Sequence, residues 1–324
     1  MKRIHCLAGL FGGILGAGVL ALALAAHGGR FSAVLDIFTH FAPLYLAGGL
    51  LALVLTTASP LGGLRVLSVL LSMGGTLAAG GLIVPEYIRS LEVPTVELEA
   101  SAETLKLVQF NAFGRNSRPD AAIRWVLAQD ADVVILQEAA ALRDRLIRDG
   151  PYIGTCLHCG AVILTRNNPI ASHVTPWHNR DGAYVTTATI SDLYGEFTII
   201  GIHRAWPTRF KASRRQAAET AVLVSRHPRD RMILAGDFNS TPWSFTRRQE
   251  DRELGLIRRT RALATWPAEK ISHNRFPAPF PYMPIDHVYA GPGWATVRVE
   301  RGPKLGSDHY PVVVTLAAVK SVAR

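Results

Sequence analysis

The chain has 324 residues, 48 % of them hydrophobic and 19 % charged, with a formal net charge of +10. That apolar content excludes intrinsic disorder, and three cysteines without a Gly-X-Y period exclude disulfide-scaffold and collagen-like classes. The charge is unevenly spread: residues 1–103 hold five Lys/Arg and six Asp/Glu, which leaves about +11 on residues 104–324.

In chain order, residues 4–26, 41–58 and 66–84 are runs of 23, 18 and 19 residues without a permanent charge. Such lengths suit helices crossing a hydrocarbon core of ~30 Å at 1.5 Å per residue. The expectation is a module of three transmembrane helices over residues 1–88. Lys2 and Arg3 precede the first run, which keeps the N-terminus in the cytoplasm. Three crossings then put the remainder outside, as a multi-pass protein of the cell membrane with an extracytoplasmic second domain. Leu22-Ala23-Leu24-Ala25 also fits a signal-peptide cleavage site. Cleavage there would leave two spans and the same final side. Asp36 and His40 lie four apart on one helix face before the second run, and a solvated membrane interface is expected for them. Residues 89–103 are polar with one proline and read as a linker.

From residue 105 short apolar runs recur: 105–110, 133–136, 161–164, 197–202, 232–235, 285–289 and 312–316. They are rich in Val, Ile and Phe and suit strands buried on both faces. Helical patterns lie at 119–128 and 212–226, so a layered α/β domain over 104–324 is expected.

Most of these runs end or begin at a polar residue: Asn111, Gln137-Glu138, His203, Asp237-Phe-Asn239, Asp286 and Ser307-Asp308-His309. Each alone reads as a turn former; together, at strand ends where loops shape pockets, they read as a site. Glu138, Asp237 and Asp308 are hard oxygen donors, and Asn111 and Asn239 neutral ones, a mix that suits Mg²⁺ or Mn²⁺. His203 and His309 are placed to contact phosphate or move protons, and Asp286 to hold one imidazole in the needed tautomer. Metal, carboxylate and histidine together fit hydrolysis of a phosphoester by an activated water.

The motifs Val-Gln-Phe-Asn111, Leu-Gln-Glu138, Gly-Asp237-Phe-Asn239, Ile-Asp286-His and Gly-Ser-Asp308-His309-Tyr-Pro resemble, in order and spacing, the endonuclease/exonuclease/phosphatase superfamily over residues 104–318. The resemblance implies a DNase I-like, two-sheet α/β sandwich with the site at one sheet edge. It implies Glu138 as main metal ligand with Asn111 and Asp308 close to the ion, and Asp237 as the group that orients or deprotonates water. It further implies Asn239 on the scissile phosphate, His309 paired with Asp286, and His203 as an additional active-site histidine. Phe113 stands where repair-type members commonly carry Asp, and Glu138 is followed by Ala-Ala, both of which argue against an abasic-site endonuclease.

Arg204, Arg209, Lys211, Arg214 and Arg215, then Arg247, Arg248, Arg252, Arg258, Arg259 and Arg261, suit a nucleic-acid track, attraction to anionic lipid heads, or a solvated surface. Trp206, Trp243 and Trp266 lie beside prolines and suit stacking on a base, dipping into lipid, or packing. Cys156 and Cys159 precede a strand; a small-loop disulfide and two buried thiols both fit. The expected partners are a phosphoester substrate (nucleic acid, phospholipid or phosphorylated headgroup) and membrane lipids, with no protein partner. Two function classes follow: a membrane-tethered, metal-dependent phosphoesterase, or a non-catalytic membrane protein that binds phosphorylated ligands on the same fold.

Overall fold

A computed structural model describes residues 2–57, 62–91, 103–156, 159–174, 184–268 and 280–319. The chain forms two compact units: Met1–Ser90 with Thr241–Gln249, and Leu91–Ser240 with Glu250–Arg324.

The first unit holds α1 (Lys2–His27), a short α2 (Ala33–Asp36) leading through a 3₁₀ turn into α3 (Ala42–Thr57), and α4 (Gly63–Leu91). Three helical stretches, His5–Arg30, Ala33–Thr57 and Gly63–Arg89, are long and apolar enough to cross a membrane. Small residues let these helices approach closely: a Cβ at Gly75 would lie 2.9 Å from the Leu20 backbone nitrogen. Helix α4 continues through residue 91, so the start of the expected linker is helical. Residues 92–102 of that linker, and residue 58 of the second expected span, lie outside the described residues. The solvated interface expected for Asp36 and His40 is not observed. Both side chains are buried, because residues far along the chain bond to them within this unit.

Among the described residues, the second unit contains twelve strands in two sheets. The first has the order β11-β12-β1-β2-β4-β3, from β1 (Thr104–Asn111), β2 (Val133–Gln137), β3 (Ile153–Thr155), β4 (Ala161–Thr165), β11 (Trp294–Arg301) and β12 (Val312–Ala318). The second has the order β5-β6-β7-β8-β10-β9, from β5 (Ala171–Val174), β6 (Tyr184–Asp192), β7 (Gly195–His203), β8 (Ile233–Asp237), β9 (Ile257–Arg258) and β10 (Asp286–Ala290). Leu107, Ile135, Ile163, Ile199, Ile233, Val288 and Val314 pack between the sheets. The outer face of the first sheet is covered by α5 (Pro119–Ala128) and α6 (Arg143–Asp149), through Ile123, Val126 and Leu146 against Val108, Phe110 and Leu136. Helix α7 (Phe210–Ser225) supplies Leu223 and Val224 to the cluster of Ile200, Ile202 and Leu234 on the second. Central strands are therefore buried on both faces, which is why they read as unbroken apolar runs. This is the two-sheet α/β sandwich.

Candidate functional site at the strand ends

Pairing register gathers the site. Parallel pairing of β1 with β2 sets Asn111 beside Gln137, so Glu138 follows at the same end. Parallel pairing of β7 with β8 sets His203 beside Asp237, and antiparallel β10 returns Asp286 to the same register position. Because β12 runs antiparallel to β1, the Ser307-Asp308-His309 turn that precedes β12 reaches the same edge. Gly236 is required there, since a Cβ would run into the Ile202 carbonyl.

The turns leaving these strands are strained. Phe113, Glu138 and Asn239 have φ of 57°, 49° and 50°, a left-handed region that non-glycine residues enter at a cost and that concentrates at functional sites.

Most polar groups at this edge meet within hydrogen-bond distance. Asn111 Nδ2 donates to Asp237 Oδ2 at 3.0 Å and reaches Glu138 Oε1 at 3.5 Å. Glu138 Oε2 accepts the Gly114 N–H at 3.2 Å. His203 Nε2 stands 3.7 Å from Asp237 Oδ2 and 3.9 Å from Glu138 Oε1. Asn239 donates its backbone N–H to Asp237 Oδ1 at 2.8 Å and its side-chain amide to the Arg204 carbonyl at 2.9 Å. His309 Nδ1 lies 2.8 Å from Asp286 Oδ2, and its Nε2 lies 3.7 Å from Asp237 Oδ2.

Asp237, Asp286 and His309 are all buried. Burial pushes the Asp237 carboxyl up to about 6; the charge of Asp286 adds to this and the two imidazoles oppose it. Against burial, His309 and the Gln109 amide hold Asp286 below the usual carboxylate range. Against burial too, Asp286 and then Asp237 hold the His309 imidazolium up to about 10.

Asn111, Glu138, His203, Asp237, Asn239, Asp286 and His309 are thus brought together as expected from their positions. Asp308 sits beside His309, with its carboxylate accepting the Trp266 indole N–H at 3.3 Å. Sequence reasoning missed the buried amides that support the acids. Gln109 Nε2 donates to Asp286 Oδ1 at 3.0 Å and to Gln137 Oε1 at 2.7 Å. Ser307, named in its motif without a role, ties the turn together: its hydroxyl donates to the Asn111 carbonyl and accepts the His309 N–H. The usable signal was Gln109, polar inside an apolar strand and two residues from Asn111, hence on the same face.

Several expectations about flanking residues are corrected. Arg204, Arg247, Arg258 and Arg259 are buried, so they form no part of a basic surface. Arg204 instead pairs with Glu250 at 3.1 Å, and Arg259 donates to the carbonyls of Gly291 and Trp294 at 2.8 Å. Trp243 is fully buried and so cannot stack on a base or enter lipid, whereas Trp206 is exposed. Of the two readings left open for Cys156 and Cys159, the disulfide is the one found, ahead of β4.

Three carboxylates (Glu138, Asp237, Asp286) and two imidazoles converge here. The surplus of hard oxygen donors fits a divalent cation such as Mg²⁺ or Mn²⁺. Asp237, Asp286 and His309 also offer ligand atoms within 4.8 Å of one another. The 2.8 Å bond inside that trio makes it a better proton-handling group than a metal cage, since a metal on His309 Nδ1 would break the pair. Glu138 is the better ion ligand, with 40 % of its side chain exposed.

Residues 108–309 match the model of the Endonuclease/Exonuclease/phosphatase family. No curated protein matches the chain. Among solved structures, an endonuclease/exonuclease/phosphatase from Beutenbergia cavernae is 21 % identical, with 66 % of this chain and 72 % of that one covered and a TM-score of 0.50. One from Bacteroides vulgatus is 18 % identical, covering 67 % and 100 %, with a TM-score of 0.54. TDP2 of D. rerio, complexed with single strand DNA product, is 15 % identical, covering 66 % and 99 %, with a TM-score of 0.54. At these identities the likeness is one of fold.

Proposed function

The chain belongs to the endonuclease/exonuclease/phosphatase family, and from that premise we propose that it is a divalent-metal-dependent phosphoester hydrolase, tethered to a membrane by its N-terminal helices. The observation that carries this reading is the buried Asp286–His309 pair at 2.8 Å, with Nε2 of the same ring facing Asp237. Asp286 holds the Nδ1 proton and favours the imidazolium. Nε2–H is then free to be offered to a phosphoryl oxygen as negative charge develops there. Asp237, with a carboxyl pushed up to about 6, is matched to take a proton from an attacking water near neutral pH. Asn239, fixed by Asp237 and the Arg204 carbonyl, is the group assigned to the scissile phosphate, and His203 lies between Asp237 and Glu138 to steady the same oxygens.

Glu138, Asn111 and Asp308 would hold Mg²⁺ or Mn²⁺, which when bound polarises the phosphoryl group and makes a nearby water more acidic. The substrate class is a phosphoester of a nucleic acid, a phospholipid or a phosphorylated headgroup. One solved structure of similar fold carries a single-strand DNA product, and three apolar helices bring lipid headgroups within reach. Flanking charge at Lys2 and Arg3 favours an extracytoplasmic site. The test is the full-length chain in detergent, offered DNA, RNA, sphingomyelin-like lipid and inositol phosphates with Mg²⁺. Hydrolysis of at least one, abolished by EDTA, is expected; no turnover of any would overturn the reading.

A further inference from the structure

An aspartate and a histidine inside an apolar stretch are expensive to bury unless they are bonded. Asp36 and His40 are 5 % and 6 % exposed; besides the Thr39 hydroxyl, which donates to Asp36 Oδ1 at 3.3 Å, the partners described below come from the Thr241–Gln249 segment of the same unit. Both Asp36 oxygens accept backbone N–H groups at the start of α8 (Phe245–Leu254): Phe245 N at 2.8 Å and Thr246 N at 2.9 Å. Asp36 thus acts as an N-cap supplied from a distant part of the chain, where negative charge is also favoured by the helix dipole. His40 Nδ1 bonds the Thr241 hydroxyl at 2.8 Å and its backbone N–H at 3.3 Å. An Nδ1 that accepts an N–H is the unprotonated nitrogen, so this grip needs the Nε2–H tautomer. The buried Trp243 donates its indole N–H to the Thr39 carbonyl at 2.8 Å. Arg248 donates to the Leu82 carbonyl of α4 at 2.6 Å.

This segment begins two residues after Asn239. Two residues span about 7 Å at most, so the placement of Thr241 limits that of Asn239. Ser240, the only residue between them, has its carbonyl held by His287 Nε2 at 2.8 Å. We propose that Asp36 and His40 are positioning residues for the strand-end site: by fixing Thr241–Gln249 from the apolar helices, they set the loop that carries Asn239. The inference rests on Asn239 acting on the scissile phosphate, as proposed above. It makes full turnover a property of the chain with its N-terminal helices engaged.

The test uses the full-length chain in detergent and its Asp36→Ala, Asp36→Asn and Trp243→Phe variants. Two readouts are taken: hydrogen exchange of amides 237–246, and hydrolysis of bis(p-nitrophenyl) phosphate with Mg²⁺. Exchange there should quicken at least tenfold in Asp36→Ala and Trp243→Phe, with β1 and β12 unchanged. In Asp36→Ala kcat should fall between about ten- and a hundredfold, the scale of a displaced catalytic group, with KM moving less. Asp36→Asn keeps one acceptor and should recover part of the rate. Unchanged exchange would overturn the grip. Quickened exchange with an unchanged kcat would overturn the positioning role. Should Asp36→Ala not fold, Trp243→Phe, which keeps an aromatic side chain but removes the indole N–H that bonds the Thr39 carbonyl, decides. A wild type inactive on every phosphoester would refute the functional proposal, and exchange alone would then decide the grip.

Discussion

Replacing Asp286 by Asn keeps the side-chain shape and removes one charge. In the native chain His309 is held up to about 10 from an ordinary 6.5, against burial, by Asp286 first and Asp237 second. Without the Asp286 charge the burial of His309 is opposed only by the weaker pulls of Asp237 and Asp308, and its pKa should fall. The amide has a further consequence. Gln109 Nε2 donates to Oδ1 of residue 286 at 3.0 Å. The new carboxamide must present its oxygen to that donor, which turns its NH₂ toward His309 Nδ1 and selects the tautomer with the proton on the other nitrogen. That tautomer keeps Nε2–H but the ring loses its positive charge, so turnover should drop by about 10²- to 10⁴-fold. The melting temperature should move little, because the Gln109 bond survives. Nitrogen chemical shifts of the His309 ring against pH read the pKa and tautomer independently of activity, and kcat reads the consequence. His309→Ala should cost at least as much, and the double variant little more than His309→Ala alone. An unmoved His309 pKa, or additive losses in the two variants, would refute the partnership.

Three further outcomes are expected. Asp237 is raised from 3.8 to about 6, so the folded, cation-free chain binds more protons than the unfolded one in that window and loses stability as pH rises through it. Mg²⁺ should therefore stabilise more at pH 7.5, where a hundredfold excess over Kd gives about 2.7 kcal/mol, than the same concentration does at pH 5; equal melting shifts at both pH values would contradict this. Gly236→Ala should destabilise by about 1–3 kcal/mol, because its Cβ meets the Ile202 carbonyl, and denaturant unfolding measures it. A reporter active only outside the cytoplasm, fused after residue 100, should be active; activity of a cytoplasm-only reporter there would reverse the proposed orientation.

The legible part of the fold is the part buried on both faces. The runs at 105–110, 133–136 and 161–164 fall within β1, β2 and β4, and α5 spans Pro119–Ala128 as its periodicity indicates. What escaped has mixed polarity: β6 carries Thr186, Thr187 and Thr189, and β11 is an edge strand interrupted by a bulge near Thr296 and bearing Arg298 and Glu300. Helix α8 is highly charged and offers almost no apolar stripe. At the site, residues that end strands stood out, whereas Gln109 was hidden inside an apolar run, where its bond to Gln137 makes it tolerable. Asp36 could not be read from its neighbours, because its partners lie 209 and 210 residues away and only the fold brings them to it.

The central claim is that a cation held at Glu138 and the acid–histidine pair behind it cleave a phosphoester. The most direct measurement is the initial rate on bis(p-nitrophenyl) phosphate by full-length wild type and Glu138→Ala, each titrated with Mg²⁺ and with EDTA. The account predicts wild-type turnover that rises with Mg²⁺ and vanishes in EDTA, and a Glu138→Ala rate lower by about 10²-fold or more at every Mg²⁺ concentration. Full wild-type activity in EDTA, or an unimpaired Glu138→Ala, would contradict it.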